Sequence, residues 1–151
     1  IAGAGAELVA LRSLANSLGV ADSVEFLGFV DDSIERMARA ALYLATAAAE
    51  PFGLSVAEAM STASAVVAAG GGAHLELLDA ASGATYTPGD VDDAARALRF
   101  WCERTDAERR QTGAKLQQRQ RQDYSTAGHI QRLTDVYHRL LQGDSSTAPE
   151  R

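Results

Sequence analysis

"ALYLATAAAEPFGLSVAEAMSTASAVVAAGGG", Ala41 to Gly72, holds a complete strand–loop–helix–strand unit. "ALYLAT" is a short apolar run of the kind a buried strand requires. Pro51-Phe52-Gly53 makes a turn, and "LSVAEAM" reads as a helix starting near Gly53. "SAVVAAGGG" is a second apolar strand that ends in glycines.

Outward from this unit the alternation continues. Upstream, "IAGAG" is a strand entering a glycine turn, followed by a helix with Leu8, Leu11, Leu14, Ala15 and Leu18 at helical spacing. "VEFLGFV" is another strand and "DDSIERMARA" a short amphipathic helix. Downstream come a short helix around Leu75–Asp79, an edge strand in "GATYTPGD", and a helix whose apolar face includes Ala94, Leu98 and Trp101. Residues from about Asp106 to Leu141 are helical and charged, with a break near Asp123–Ser125. Strands alternating with helices imply an α/β fold, a doubly wound parallel sheet covered on both faces. Its strands are expected near Val24–Leu27, Leu42–Ala45 and Ala65–Ala68, with their carboxyl ends at one rim.

Composition bounds the partners. The chain has 151 residues, 46% of them hydrophobic, enough for one core and one domain. A net charge of −6 argues against nucleic acid and anionic membranes. It leaves room for a small anionic ligand, because helix ends and main-chain amides bind phosphate without net positive charge. Cys102 is the single cysteine, which excludes an intrachain disulfide and a Cys-rich zinc site; within "LRFWCER" it reads as a small buried residue. No apolar run approaches the ~20 residues of a membrane span, and no signal peptide is visible. A cytoplasmic location is expected, any membrane association coming through a domain outside this chain. The chain opens at Ile1 in mid-strand, and is expected to be a piece of a longer protein. Its domain is expected over 1–141, and the polar stretch 142–151 is expected to be a disordered tail.

Ligands of such sheets sit at the carboxyl ends of the strands. Three glycine-bearing loops belong there, those of "IAGAG", "AAAEPFG" and "AAGGGAH". Glycines let backbone amides approach a phosphate, and a helix start near Gly53–Leu54 adds a favourable field. Leu54 and Glu58 then share one helix face. Glu58 is a suitable acceptor for a ribose diol, and Glu50, before the turn, for sugar hydroxyls beyond the phosphates. A blander reading fits the spacing equally well. Ser55-Val-Ala-Glu58 has the form of a capping box, and Glu50 that of a solvated loop acid.

The stretch "EPFGLSVAEAMSTASAVVAAGGGAHLELL" resembles the signature of the family 4 glycosyltransferases, which have the GT-B fold. Their hallmark is Glu, seven residues, Glu, and Glu50, Pro51, Phe52, Gly53, Glu58, Ala59 and Met60 all match it. Gly72 and Glu76 match the later G-G-x-x-E, and "IAGAG", with Gly3 and Gly5, is similar to the family's strand-plus-G-x-G turn. The resemblance covers roughly Ile1 to Leu141. It implies the C-terminal, donor-binding half of a two-domain enzyme that moves a sugar from a UDP-, GDP- or ADP-sugar to an acceptor held by the other domain. Retention and independence from metal ions and other cofactors are implied with it. Glu50 would be the catalytic-site residue contacting the donor sugar. Amides around Phe52, Gly53 and Leu54 would hold sugar and phosphate, Glu58 would bind the ribose, and Phe29–Val30 would border the base; Ser55, Gly3 and Gly72 are further substrate-binding candidates. His74, beside the glycine loop, is a further candidate for ligand contact.

The match has gaps. Ala63, Ser64 and Ala65 stand where the family has Gly-x-Pro, and Ala73 takes the place of the second glycine of its pair. The basic pair that neutralises the donor diphosphate, and the acceptor domain, would precede Ile1, so this piece alone is expected to be inactive. Two alternatives carry less. A nucleotide-sugar epimerase on the same scaffold fits the E-P-F-G…E-A-M context poorly. A nicotinamide-binding Rossmann domain would need a third glycine where Leu8 stands and an acid where Phe26–Leu27 stands. The run "ERRQTGAKLQQRQRQ" is polar all round and reads as a solvated face, and Trp101 as core.

Overall fold

The computed structural model describes residues 1–78 and 84–142, in two compact units, Ile1–Arg36 and Met37 onward. The proposed tail and Asp79 lie outside the described residues, save Gln142.

In the first unit α1 spans Leu8–Ser17 and a 3-10 turn covers Ala21–Ser23. The strand expected at Val24–Leu27 is reduced to one parallel bridge, Ala2 to Gly28. Its bonds are Leu27 N–H to Ile1 carbonyl at 2.9 Å and Gly3 N–H to Gly28 carbonyl at 2.7 Å. The pairing ends with the Gly3 amide, where φ is +125. Of the α1 face only Ala15 is buried, and Leu11, Leu14 and Leu18 stay exposed.

The second unit is built on three parallel strands in the order β1 (Tyr43–Ala45), β2 (Val66–Ala69), β3 (Thr85–Tyr86). Tyr43 pairs with Val66 and Ala68 with Thr85. Central β2 is buried along its whole length, and its alternation divides the core in two. Val66 and Ala68 pack with Val56, Ala59 and Met60 of α3 (Leu54–Ser61) and Leu116 of α6 (Asp106–Asp123). Ala65, Val67 and Ala69 pack on the other face with Trp101 of α5 (Val91–Cys102). Helices on both faces make the sheet doubly wound, as the alternation of elements implied. Helices α2 (Ser33–Arg39) and α7 (Thr126–Leu141) lie where expected, β2 is shifted by one residue from Ala65–Ala68, and α4 (Ala73–Leu77) starts two residues before Leu75. The break near Asp123–Ser125 separates α6 from α7, whose cap is Ser125.

Capping follows short-range chemistry. Asp90 accepts from Asp93 N–H at 2.9 Å, and Thr105 with Glu108 forms a full capping box. The Thr87 amide, donating at 2.8 Å, holds the Asp93 carboxyl below the ordinary carboxylate range. The Thr105 amide and hydroxyl do the same for Glu108.

Two expectations are corrected. Cys102 is exposed: one helical step past buried Trp101 rotates it away from the sheet. The polar run on α6 is not merely a solvated face, since Gly113 and Leu116 are buried. A Cβ at Gly113 would collide with the Ala63 carbonyl, so this glycine sets how closely α6 approaches the end of α3. Gln117 Nε2 donates to the Ser61 carbonyl at 2.6 Å across the same contact.

Ala63 follows the α3 C-cap with φ +60, and Ser64 N–H bonds back to Ala59 carbonyl at 3.3 Å while Ala63 N–H bonds to Met60 at 3.1 Å. This is a Schellman ending with alanine where glycine is preferred. A left-handed alanine carries roughly 1–2 kcal/mol of strain, and the extra chain entropy of glycine offsets roughly 0.4–1 kcal/mol of that. Ala63→Gly is therefore expected to stabilise the domain by about 1 kcal/mol, read as a higher urea midpoint at unchanged slope. A lower midpoint would contradict this.

Candidate functional site

β1 ends at Ala45, and the loop it feeds carries Glu50 to the start of α3. Glu50 is half-buried and joins two loops through its backbone. It forms a parallel bridge with Gly72, and its carbonyl accepts the Ala73 amide at 2.8 Å. Its carboxylate reaches forward along the chain, Oε1 accepting from the Gly53 amide at 3.4 Å. The acid is thus held between the E-P-F-G turn and the glycine loop after β2.

Helix α3 begins at Leu54, with Gly53 as N-cap at φ +66 and no side chain capping it. The capping-box reading of Ser55 fails on this geometry. Ser55 lies inside the first turn with its side chain exposed, so its hydroxyl is not at the cap position. The first turn therefore presents amide donors to whatever lies before it. Glu58 is exposed one turn further in, and its carboxylate makes no hydrogen bond or ion pair among the described residues. Phe52 and Leu54 are exposed beside the turn.

Gly72 has φ +58 and ψ −136, a conformation nearly restricted to glycine. A Cβ there would collide with the Glu50 carbonyl and stand 2.9 Å from the Glu50 amide. A Cβ at Gly71 would likewise collide with the Ala48 carbonyl, so the two glycines together allow the loops to touch. His74, expected on the rim, is instead buried beneath it, 1% exposed, with Nδ1 2.9 Å from the Ala69 carbonyl. A position inside α4 turns the ring inward, where it packs beside Gly53. Glu50, Phe52, Gly53, Leu54, Ser55, Glu58 and Gly72 thus gather at one end of the sheet, whereas Gly3 belongs to the first unit and is described with it.

Supports invisible in the sequence complete the site. The Glu76 carbonyl accepts from Tyr124 Oη and Arg119 Nη2, each at 2.9 Å, tying α4 to the end of α6. Tyr86 reaches the Ala45 carbonyl at 3.4 Å, and burial pushes its phenol up. Both contacts join residues more than 40 positions apart, beyond any local pattern.

The arrangement offers uncapped helix amides for an anion and two acids, eight residues apart, for hydroxyl groups. Among the described residues no group of three or more His, Cys, Asp or Glu is placed to share a metal ion, and no helix is long and apolar enough to cross a membrane. The family described as glycosyl transferases group 1 matches residues 1–119. The chain belongs to that family.

This glycosyltransferase domain shares its fold with solved structures. Anabaena HepE in complex with UDP is 26% identical with a TM-score of 0.81, the match covering 91% of this chain and 39% of HepE. HepE in complex with UDP-glucose matches with a TM-score of 0.78 at the same identity and shares. The catalytic domain of the cholesterol-alpha-glucosyltransferase of Helicobacter pylori, 23% identical, matches over 77% of this chain and 72% of its own with a TM-score of 0.68, a likeness of fold alone. The glycosyltransferase domain therefore spans well under half of HepE. No curated protein sequence matches it.

Proposed function

We propose that this domain, over residues 1–141, binds a nucleotide-diphosphate sugar, and that the whole enzyme transfers the sugar with retention to an acceptor held by a second domain of the same polypeptide. The observation that carries the reading is the placement of Glu50. Its backbone pairs with Gly72 while its carboxylate stands beside the Gly53 amide, at the mouth of an uncapped helix. An anionic diphosphate suits the helix start, where the dipole and free amides favour negative charge. Hydroxyl-bearing groups on either side of it suit the two acids. Glu58, one turn along α3, accepts from the ribose diol, and Glu50 accepts from the donor sugar.

Of the three bases expected from the sequence, uracil is favoured. HepE, at 26% identity, is described in complex with UDP and with UDP-glucose. Phe52, Gly53, Leu54 and Ser55 would line the diphosphate, with Gly72 shaping the opposite loop. His74, buried under that loop, would support its shape instead of contacting the ligand.

Calorimetric titration of the 151-residue chain with UDP, GDP, ADP and NAD tests the reading. UDP should bind more tightly than GDP or ADP, and NAD should not bind. Binding of NAD alone would replace this reading by a nicotinamide-binding one. The domain alone should form no glycosyl product from UDP-glucose, and in the full-length enzyme the product anomer should match the donor's by NMR.

A further inference from the structure

We propose that a cleft at the opposite end of the sheet is a second anion site, fitted to a small phosphate monoester. It has a volume of about 300 Å³ and lies where the chain enters β1 and β2, lined by Arg39, Ala41, Ala63, Ala65, Arg109 and Arg110 among others. The donor loops follow the other ends of those strands, at Glu50 and Gly72. The two sites are therefore separate.

Charge makes the case. Arg109 is spent internally: it pairs with Asp106 and donates to the Trp101 carbonyl at 3.0 Å, at the end of α5. Asp106, the acid in the lining, is neutralised by that pair. Arg39 and Arg110 make no ion pair among the described residues. The cleft therefore carries two uncompensated positive charges in a chain whose net charge is −6. The two arginines come from different helices, α2 and α6, and share the cleft with five alanines and one acid, Asp106, which Arg109 already holds.

A guanidinium matches phosphate oxygens in a fork of parallel hydrogen bonds, which a lysine does not. A volume of about 300 Å³ is at the lower end for ligand pockets and suits a phosphorylated sugar fragment better than a nucleoside diphosphate. Both arginines are exposed, so binding should be weak and salt-dependent.

Glycerol 3-phosphate is the probe, titrated into the full 151-residue chain at low ionic strength while backbone amide shifts are followed by NMR. Saturable shifts are expected at residues 38–41 and 63–65. The double variant R39Q/R110Q should weaken the fitted affinity at least tenfold, and Glu58→Ala should leave it unchanged. Shifts confined to residues 53–55 and 70–72, shifts that never saturate, or equal affinity in the double variant would each overturn the proposal. The shift map on the unaltered chain decides location even without the variant.

Discussion

Gly72→Ala is expected to lower the unfolding free energy by about 3 kcal/mol and to remove nucleotide binding. Two penalties combine. Alanine at φ +58 and ψ −136 is forced into a region nearly restricted to glycine, at a cost of roughly 1–3 kcal/mol. Its Cβ also meets the backbone of Glu50, with the amide nitrogen 2.9 Å away, and such overpacking typically costs ~1–3 kcal/mol. A backbone obstacle cannot rotate aside as a side chain can. The loops must separate, which breaks the Glu50–Gly72 bridge and the Ala73 to Glu50 hydrogen bond. Denaturant unfolding and calorimetry with UDP measure both losses. An unchanged midpoint would mean that the loops are not held by this contact. A lowered midpoint with unchanged UDP affinity would uncouple the bridge from the ligand.

Glu58→Ala and Glu50→Ala are expected to separate the two halves of the donor. A hydrogen bond to a charged acceptor is worth about 1.5–3 kcal/mol, or roughly tenfold to a hundredfold in affinity. Glu58→Ala should weaken UDP by that factor, because the ribose is present in nucleotide and nucleotide sugar alike. Its side chain is exposed and makes no bond among the described residues, so folding should not suffer. Glu50→Ala should leave UDP affinity within about threefold, since the sugar is absent from that ligand. It should depress turnover of the full-length enzyme instead. The backbone of Glu50, which carries the bridge to Gly72, is retained by alanine. Equal losses of UDP affinity in the two variants, or none in Glu58→Ala, would refute this division.

The strands of the second unit could be read from the sequence because their signals are local. β2 is an unbroken apolar run because both its faces are covered, and Ala65–Ala69 divide alternately between two cores. The start of α3 was open on spacing alone. Ser55-x-x-Glu58 has capping-box form, yet Gly53 begins the helix two residues earlier. A box forms only when the Ser backbone is non-helical, and the left-handed turn at Gly53 had already started the helix.

What lay beyond the sequence depends on close approach between distant segments. The burial of His74 follows from α4 docking under Gly53, held by Tyr124 and Arg119 from α6. The role of Gly113 follows from the end of α3 arriving against it, and nothing in a polar helix signals that contact. The two arginines without an ion pair among the described residues are similar: Arg39 and Arg110 are 71 positions apart and share a cleft only once β1 and β2 are laid side by side. The strands of the second unit, the E-x7-E signature and the family were determined by the sequence itself, because periodicity and motif spacing are properties of neighbouring residues. Which backbone atoms touch across the loops, and which arginines share a cleft, was decided by the tertiary structure alone. Those depend on excluded volume and distance between segments that the chain order keeps apart.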